Sequence, residues 1–185
     1  IAVGDIVEVF GTVNTHRDML QIEIMDMVEA GDEETKVILE RIDKTLDEKS
    51  EPKEIPFLIK DKILEAMKPE LYKLAKMIRR AIFDGTPILI RHHADTDGIT
   101  SAVALEQAVI PLLIQEQPDA VNFRIQRSPS KSPFWDFIDV TKDIDFALQD
   151  SVKFGDRLPF VLLMDLGSSH ESLSSIKKAK IFGLD

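Results

Sequence analysis

Within residues 91–98 (Arg-His-His-Ala-Asp-Thr-Asp-Gly), one imidazole and two carboxylates recur at every second position: His93, Asp95 and Asp97. In an extended segment that spacing points all three side chains the same way. An imidazole and two carboxylates converging on one point make a site for Mn²⁺ or Mg²⁺, ions that favour hard oxygen ligands. A further carboxylate, Asp165, directly follows the apolar run 160–164 and joins the cluster if the two segments are neighbours. Without a cation between them, such groups repel one another. Gly98 permits a sharp backbone turn immediately after the third ligand.

Other readings of these residues stay open at this level. Asp-x-Asp-Gly is also a common turn or helix cap. An EF-hand loop requires Asp, Asp or Asn at alternate positions before the Gly and a Glu six residues after it. Here the first position is His93 and the twelfth is Ala104, a poor match. A haloacid-dehalogenase-type phosphatase places its first Asp directly after the apolar run and a Thr after the Gly. This chain interposes residues 91–94 and has Ile99 in the second place.

The elements that position these residues read as strands and helices in alternation. Residues 87–90 are a short apolar run of the buried parallel type, followed by the Asp-rich loop and a helix over 99–115. A strand over 120–126, an irregular Ser/Pro stretch over 128–133 and a helix over 141–154 come next. The run 160–164 is a second buried strand, Gly167-Ser168-Ser169 opens a helix reaching about Lys180, and 181–185 is the approach to another strand. Alternation of this kind predicts an α/β fold, a parallel sheet with helices on both faces. Ligands of such sheets bind beyond the carboxyl ends of the strands, where the loop 91–98 and Asp165 lie.

Upstream, residues 3–10 and 19–28 alternate apolar and polar side chains, with turn chemistry over 14–18, and read as a β-hairpin. A hairpin alone is marginal in water, so it needs partners. An amphipathic helix over 32–50, a linker at residues 51–53 and a helix with Pro69 in its first turn follow, the latter ending before Gly85. Three regions are therefore expected: 1–30, a helical linker over 31–84, and 85–185.

The chain has 185 residues, no cysteine and a net charge of −10. Disulfides, thiolate zinc sites and cysteine nucleophiles are excluded. The charge has the wrong sign for coating nucleic acid by bulk electrostatics, so any phosphate-tracking surface must be a local patch. No apolar run reads as a membrane span and no signal peptide opens the chain. No membrane association and a cytoplasmic location are expected.

With its flanks, the segment 90–102 resembles motif I (His-x-Asp-x-Asp-Gly) of the DHH phosphoesterase superfamily, and 163–169 (Leu-Met-Asp-Leu-Gly-Ser-Ser) resembles its motif II. The pattern is most similar to archaeal RecJ-like exonucleases that carry an OB module before the DHH domain. Residues 4–13 resemble the second half of a tRNA-anticodon-type OB barrel, its fourth and fifth strands. The resemblance implies that His93 and Asp95 hold one Mn²⁺, that Asp97 holds another and that Asp165 bridges them. Asp95, Asp97 and Asp165 are thus the catalytic candidates. Two ions about 3.5–4 Å apart would activate water and stabilise an in-line displacement at phosphorus. The family's Asp-His-His motif is not found, so the chain reads as an internal fragment that is inactive alone.

Several residues are candidates for contacts to nucleic acid. Arg127, Ser128, Ser130 and Lys131 suit the backbone, or form a surface loop. Gly167, Ser168 and Ser169 suit a phosphate at a helix N-terminus, or simply cap that helix. Phe134 and Trp135 either stack a base or anchor the core, and His92 reads as a neighbour of the site or a core residue. Three functions follow. The first is a RecJ-like exonuclease on single-stranded DNA or RNA, working beside replication or repair proteins. The second is a phosphodiesterase of short oligonucleotides or cyclic dinucleotides. The third is a non-catalytic scaffold. The intact ligands argue against the third, and the OB-like hairpin favours the first.

Overall fold

The alternating segments at the start of the chain pair as expected. In the computed structural model, which describes residues 1, 5–16 and 19–184, β1 (Val7–His16) runs antiparallel to β2 (Met19–Glu29). Pairing continues through Asn14, Thr15 and His16, where turn chemistry was expected, because each finds a cross-strand partner and Asn14 also donates to Glu23 at 3.2 Å. The rest of that expected turn, Arg17 and Asp18, lies outside the described residues, as do residues 3 and 4 of the expected first strand. The register shifts between Phe10 and Gly11. A Cβ at Gly11 would sit 2.3 Å from the Glu23 carbonyl oxygen, so this bulge admits only glycine. Leu20, Ile22 and Ile24 of β2 are exposed. The helix α1 (Asp32–Ser50) follows, with Asp32, Glu33 and Glu34 in its first turn, where the helix dipole favours them. The chain divides into two units, Ile1–Glu48 and Lys49–Asp185.

The second unit is the predicted α/β fold. Its first helix, α2 (Lys62–Phe83), starts earlier than Pro69 predicts, because Asp61 accepts from the amides of Ile63 and Leu64 at 2.8 and 3.0 Å. Pro69 therefore lies inside the helix, at the cost of one backbone hydrogen bond. The sheet consists of β3 (Ile88–His93), β4 (Ile125–Ser130) and β5 (Phe160–Met164), all parallel, in the order β4-β3-β5. Between β3 and β4 come α3 (Thr96–Glu116), a 3₁₀ turn (Pro118–Ala120) and the single turn α4 (Val121–Arg124). Between β4 and β5 comes α5 (Phe137–Phe154). After β5, a 3₁₀ turn (His170–Ser172) leads into α6 (Leu173–Ile181).

The two crossovers run in opposite directions across the sheet, from central β3 out to β4 and from β4 back past β3 to β5, so right-handed connections put their helices on opposite faces. The cores agree. Ile82 of α2 and Ala102, Val109 and Leu113 of α3 bury Ile88, Ile90 and Leu162 on one face. On the other, Trp135, Val140 and Ile144 cluster with Leu166 and Ala179, against Val161 and Leu163. α3 is long and apolar enough to cross a membrane by length and composition, contrary to the sequence reading. Its Ala102, Val109 and Leu113 are buried against the sheet, while Ile99 and Ile114 are exposed.

Other boundaries also differ from the sequence reading. The strand expected over 120–126 starts at Ile125 and runs through the Ser/Pro stretch to Ser130, because β3 offers a parallel ladder from Ile88↔Ile125 to His93↔Ser130. Pro129 is tolerated because β4 is an edge strand among the described residues. α5 begins at Phe137 rather than Thr141, since the Asp136 carboxylate caps the Asp139 amide at 2.7 Å. At the end of the chain, residues expected to approach a strand instead close α6, with Leu184 buried. Asp185 lies outside the described residues.

Beneath the carboxyl end of the sheet lies a buried ionic network. Arg91, 3% exposed, sits on the α5 face of β3. Its Nε donates to Asp143 Oδ2 at 3.1 Å, and its Nη2 donates to the other oxygen of the same carboxylate. Its Nη1 donates to the Pro129 carbonyl at 3.0 Å. Trp135 Nε1 donates to Asp143 at 2.9 Å, and Ser130 Oγ donates to Asp139 at 2.7 Å. Burial pushes the Asp143 carboxyl up from its ordinary pKa, against the opposing pull of Arg91. The pair thus draws little net stability from its charge, but leaving either partner alone is costly. Asp143→Ala is expected to destabilise the protein by about 3–5 kcal/mol. Glu106→Ala, which opens the exposed Arg127–Glu106 pair, should cost about 1 kcal/mol or less. Urea denaturation of both variants checks this, and equal losses would refute the assignment.

Candidate metal centre

The acidic loop is not extended, as the every-second-residue spacing predicts. His93 is the last residue of β3, Asp95 is the N-cap of α3, and Asp97 lies in that helix's first turn. The reason is local. The Gly98 amide donates to Asp95 Oδ1 at 3.1 Å, which starts the helix early. A Cβ on Gly98 would lie 2.3 Å from the His93 carbonyl oxygen. Glycine is therefore required where the helix turns back on the strand. From the neighbouring strand, His92 is level with Met164, so Asp165 emerges beside His93. Asp165 has φ +57, left-handed for a residue that is not glycine. Asp and Asn are among the few side chains that tolerate it.

These elements bring His93, Asp95 and Asp165 together. His93 Nδ1 lies 2.8 Å from Asp95 Oδ2 and 3.8 Å from Asp165 Oδ2. One ligand atom from each falls within 4.8 Å of the others. Asp97 stands outside that trio but lines the same open cavity of about 540 Å³, with Pro133, Leu166 and Ser168. Desolvation works against a charge on Asp95. The Gly98 amide, Asp97 and His93 outweigh it and hold that carboxyl below its usual pKa. Asp165 is pushed up, first by desolvation and then by repulsion from Asp97 and Asp95. One imidazole and crowded, mutually repelling carboxylates are a donor set suited to a divalent cation, so the residues present fit Mn²⁺ or Mg²⁺.

The phosphate candidates are dispersed. Ser168 lines the metal cavity, but Gly167-Ser168-Ser169 does not open an α-helix. A 3₁₀ turn intervenes, α6 starts at Leu173, and the Ser169 side chain makes no capping bond. Gly167 has φ +93, and a Cβ there would meet Leu163 Cδ1 at 2.6 Å. Arg127 is paired with Glu106 at 2.6 Å. Ser128 lines a different cavity, on the α5 face. Ser130 is fully buried against Asp139, so its hydroxyl is not on the surface, whereas Lys131 is exposed. Trp135 is 2% exposed and serves as a core anchor, and His92 is buried, its Nδ1 2.7 Å from the His93 carbonyl oxygen. His16 and His170 are exposed and lie outside the trio. Sequence reasoning missed Pro133 and Leu166 as cavity walls and Arg91 as a clamp. A lone Arg inside an apolar strand followed by acidic residues on a later helix was the available signal for the last.

No family model matches the chain. The uncharacterized protein MJ1198 of Methanocaldococcus jannaschii is 43% identical over 188 residues, which cover all of this chain and 25% of that protein. A solved structure described as a member of the s1p family of ribosomal proteins, PF0399 DHH domain, superposes with a TM-score of 0.78 at 44% identity. The match covers 81% of this chain and 35% of that one. The chain thus spans about a quarter of the curated relative and about a third of the solved chain.

The crowding predicts a trade between stability and metal binding. Because Asp165 is raised in the fold, the metal-free protein is more stable with this group protonated and loses that contribution as pH rises through the raised value. Asp165→Asn keeps the left-handed backbone and removes the charge. It is expected to raise the Tm of the metal-free protein at pH 7, with a gain that shrinks on acidification, while weakening Mn²⁺ binding. Differential scanning calorimetry in chelator and Mn²⁺ titration by electron paramagnetic resonance measure the two effects. A lowered Tm would contradict the repulsion.

Proposed function

We propose that this chain, whose α/β unit has the fold of a DHH domain, contributes the first half of a divalent-metal phosphodiesterase centre to a RecJ-like exonuclease acting on single-stranded nucleic acid. The likeness to a DHH domain supports phosphoesterase chemistry at the level of the superfamily. The observation that carries the reading is the meeting of His93, Asp95 and Asp165 at the carboxyl ends of adjacent parallel strands, the place where such sheets bind ligands. His93, Asp95, Asp97 and Asp165 would hold Mn²⁺ or Mg²⁺. When bound, the metal supplies Lewis-acid stabilisation of phosphoryl charge and lowers the pKa of water.

The chain's own groups do the positioning. The Gly98 amide fixes Asp95, and the turn of α3 places Asp97 at the cavity wall. The left-handed backbone at Asp165 turns its carboxylate toward His93. The open cavity admits a strand or its end, and exposed Lys131 and Ser168 are available to a phosphate. The exposed strands of the hairpin support the OB-like reading and hence a long single strand over a dinucleotide as substrate.

Loss of a group that only supports a ligand costs about 10–100-fold in metal affinity or activity. Asp97→Ala in the full-length protein should therefore lower Mn²⁺-dependent hydrolysis of a single-stranded oligonucleotide by about a hundredfold or more. Undiminished release of mononucleotides by that variant would sink the assignment. Hydrolysis confined to dinucleotides would favour the short-substrate phosphodiesterase instead.

A further inference from the structure

A second cavity, of about 260 Å³, lies on the α5 face of the sheet and is separate in its lining from the metal centre. Its floor is Leu89 of β3 with Gln126 and Ser128 of β4, two residues apart and therefore on one side of the edge strand. Phe123 of α4 and Phe146 of α5 line it, and both are largely exposed, at 79% and 62%. Lys142 and Asp150 come from the same helix as Phe146. The side chains of Gln126, Ser128, Lys142 and Asp150 make no hydrogen bond or ion pair among the described residues. Donors and acceptors therefore converge unused beside two solvent-facing aromatic rings.

That combination selects a ligand class. Binding pockets pair apolar and aromatic walls with a few convergent polar groups. Exposed phenylalanines offer faces on which a planar ring stacks. A primary amide both donates and accepts, which suits the edge of a heteroaromatic base. The lining carries charges of both signs, Lys142 and Arg157 against Asp150 and Asp156, which disfavours a polyphosphate. We propose that this cavity is a nucleoside site, taking one base between Phe123 and Phe146 with its polar edge on Gln126 and Ser128. The base belongs either to a free nucleoside or to a nucleotide of a bound strand. The proposal does not depend on the metal-centre reading.

The chain has a built-in reporter. Its single tryptophan, Trp135, donates from Nε1 to Asp143, which lines the cavity. Titration of this chain with adenosine, guanosine, cytidine and thymidine in chelator, followed by tryptophan fluorescence and calorimetry, is expected to show saturable binding of at least one of them. Phe146→Ala and Gln126→Ala, both at exposed positions, should each weaken it about tenfold while circular dichroism and Tm stay unchanged. Asp97→Asn should leave it intact, which separates this site from the metal centre. If a single-stranded oligonucleotide also loses about tenfold in Phe146→Ala, the occupant is a base of the strand. If only the nucleoside does, it is the free compound. No saturable binding at millimolar nucleoside, or binding that survives both alanine variants, overturns the proposal.

Discussion

The bidentate bond between Arg91 and Asp143 is the constraint on which the rest of the α/β unit depends. It ties the central strand to α5, and the remaining guanidinium nitrogen ties both to the Pro129 carbonyl of the edge strand. His93 lies two residues further along the same strand. A charge taken into a low-dielectric interior must be matched closely, so α5 has essentially one position in which Asp143 reaches Arg91. That position in turn places Trp135 and Ser130, which bond to Asp143 and Asp139. The cavity at the strand ends takes its shape from elements that this network holds in place.

Around the trio of ligands, backbone geometry does work that side-chain types do not reveal. Gly98 lets α3 begin within touching distance of the strand it leaves, since any Cβ would collide with the His93 carbonyl. The helix starts at Thr96, and its N-cap carboxylate is also a candidate ligand. Asp95 is consequently shared between capping a helix and facing the cavity. Its charge is stabilised by an amide whether or not a cation is near. Asp165 has no such backbone donor among the described residues, and desolvation together with the like charges around it leaves it the less comfortable carboxylate.

Much of this was legible in the residues. Alternation of apolar runs with amphipathic stretches gave the parallel sheet with helices on both faces, and the apolar run 160–164 is β5 itself. The spacing of His93, Asp95 and Asp97, with Asp165 after a second strand, pointed to residues that the fold does gather in one cavity. What was illegible depends on partners distant in sequence. Residues 128–130 look irregular because Ser and Pro are poor strand formers, yet a parallel ladder to β3 carries the strand through them. Ser130 looks like a surface hydroxyl until Asp139 is brought against it. Caps moved the starts of α2, α3 and α5, because one carboxylate bonding a nearby amide outweighs a proline or a preferred residue further on.

Pro129 has one more effect, on the outer side of the sheet. The Ser130 carbonyl bonds inward to the Ala94 amide, so its neighbour Pro129 turns its nitrogen outward, where it has no hydrogen to give. An open edge strand is a template on which another chain can add itself, and a proline on that edge removes one of the donors such growth requires. The residue whose carbonyl anchors the arginine clamp therefore also hinders edge-to-edge aggregation of the sheet that carries the metal centre.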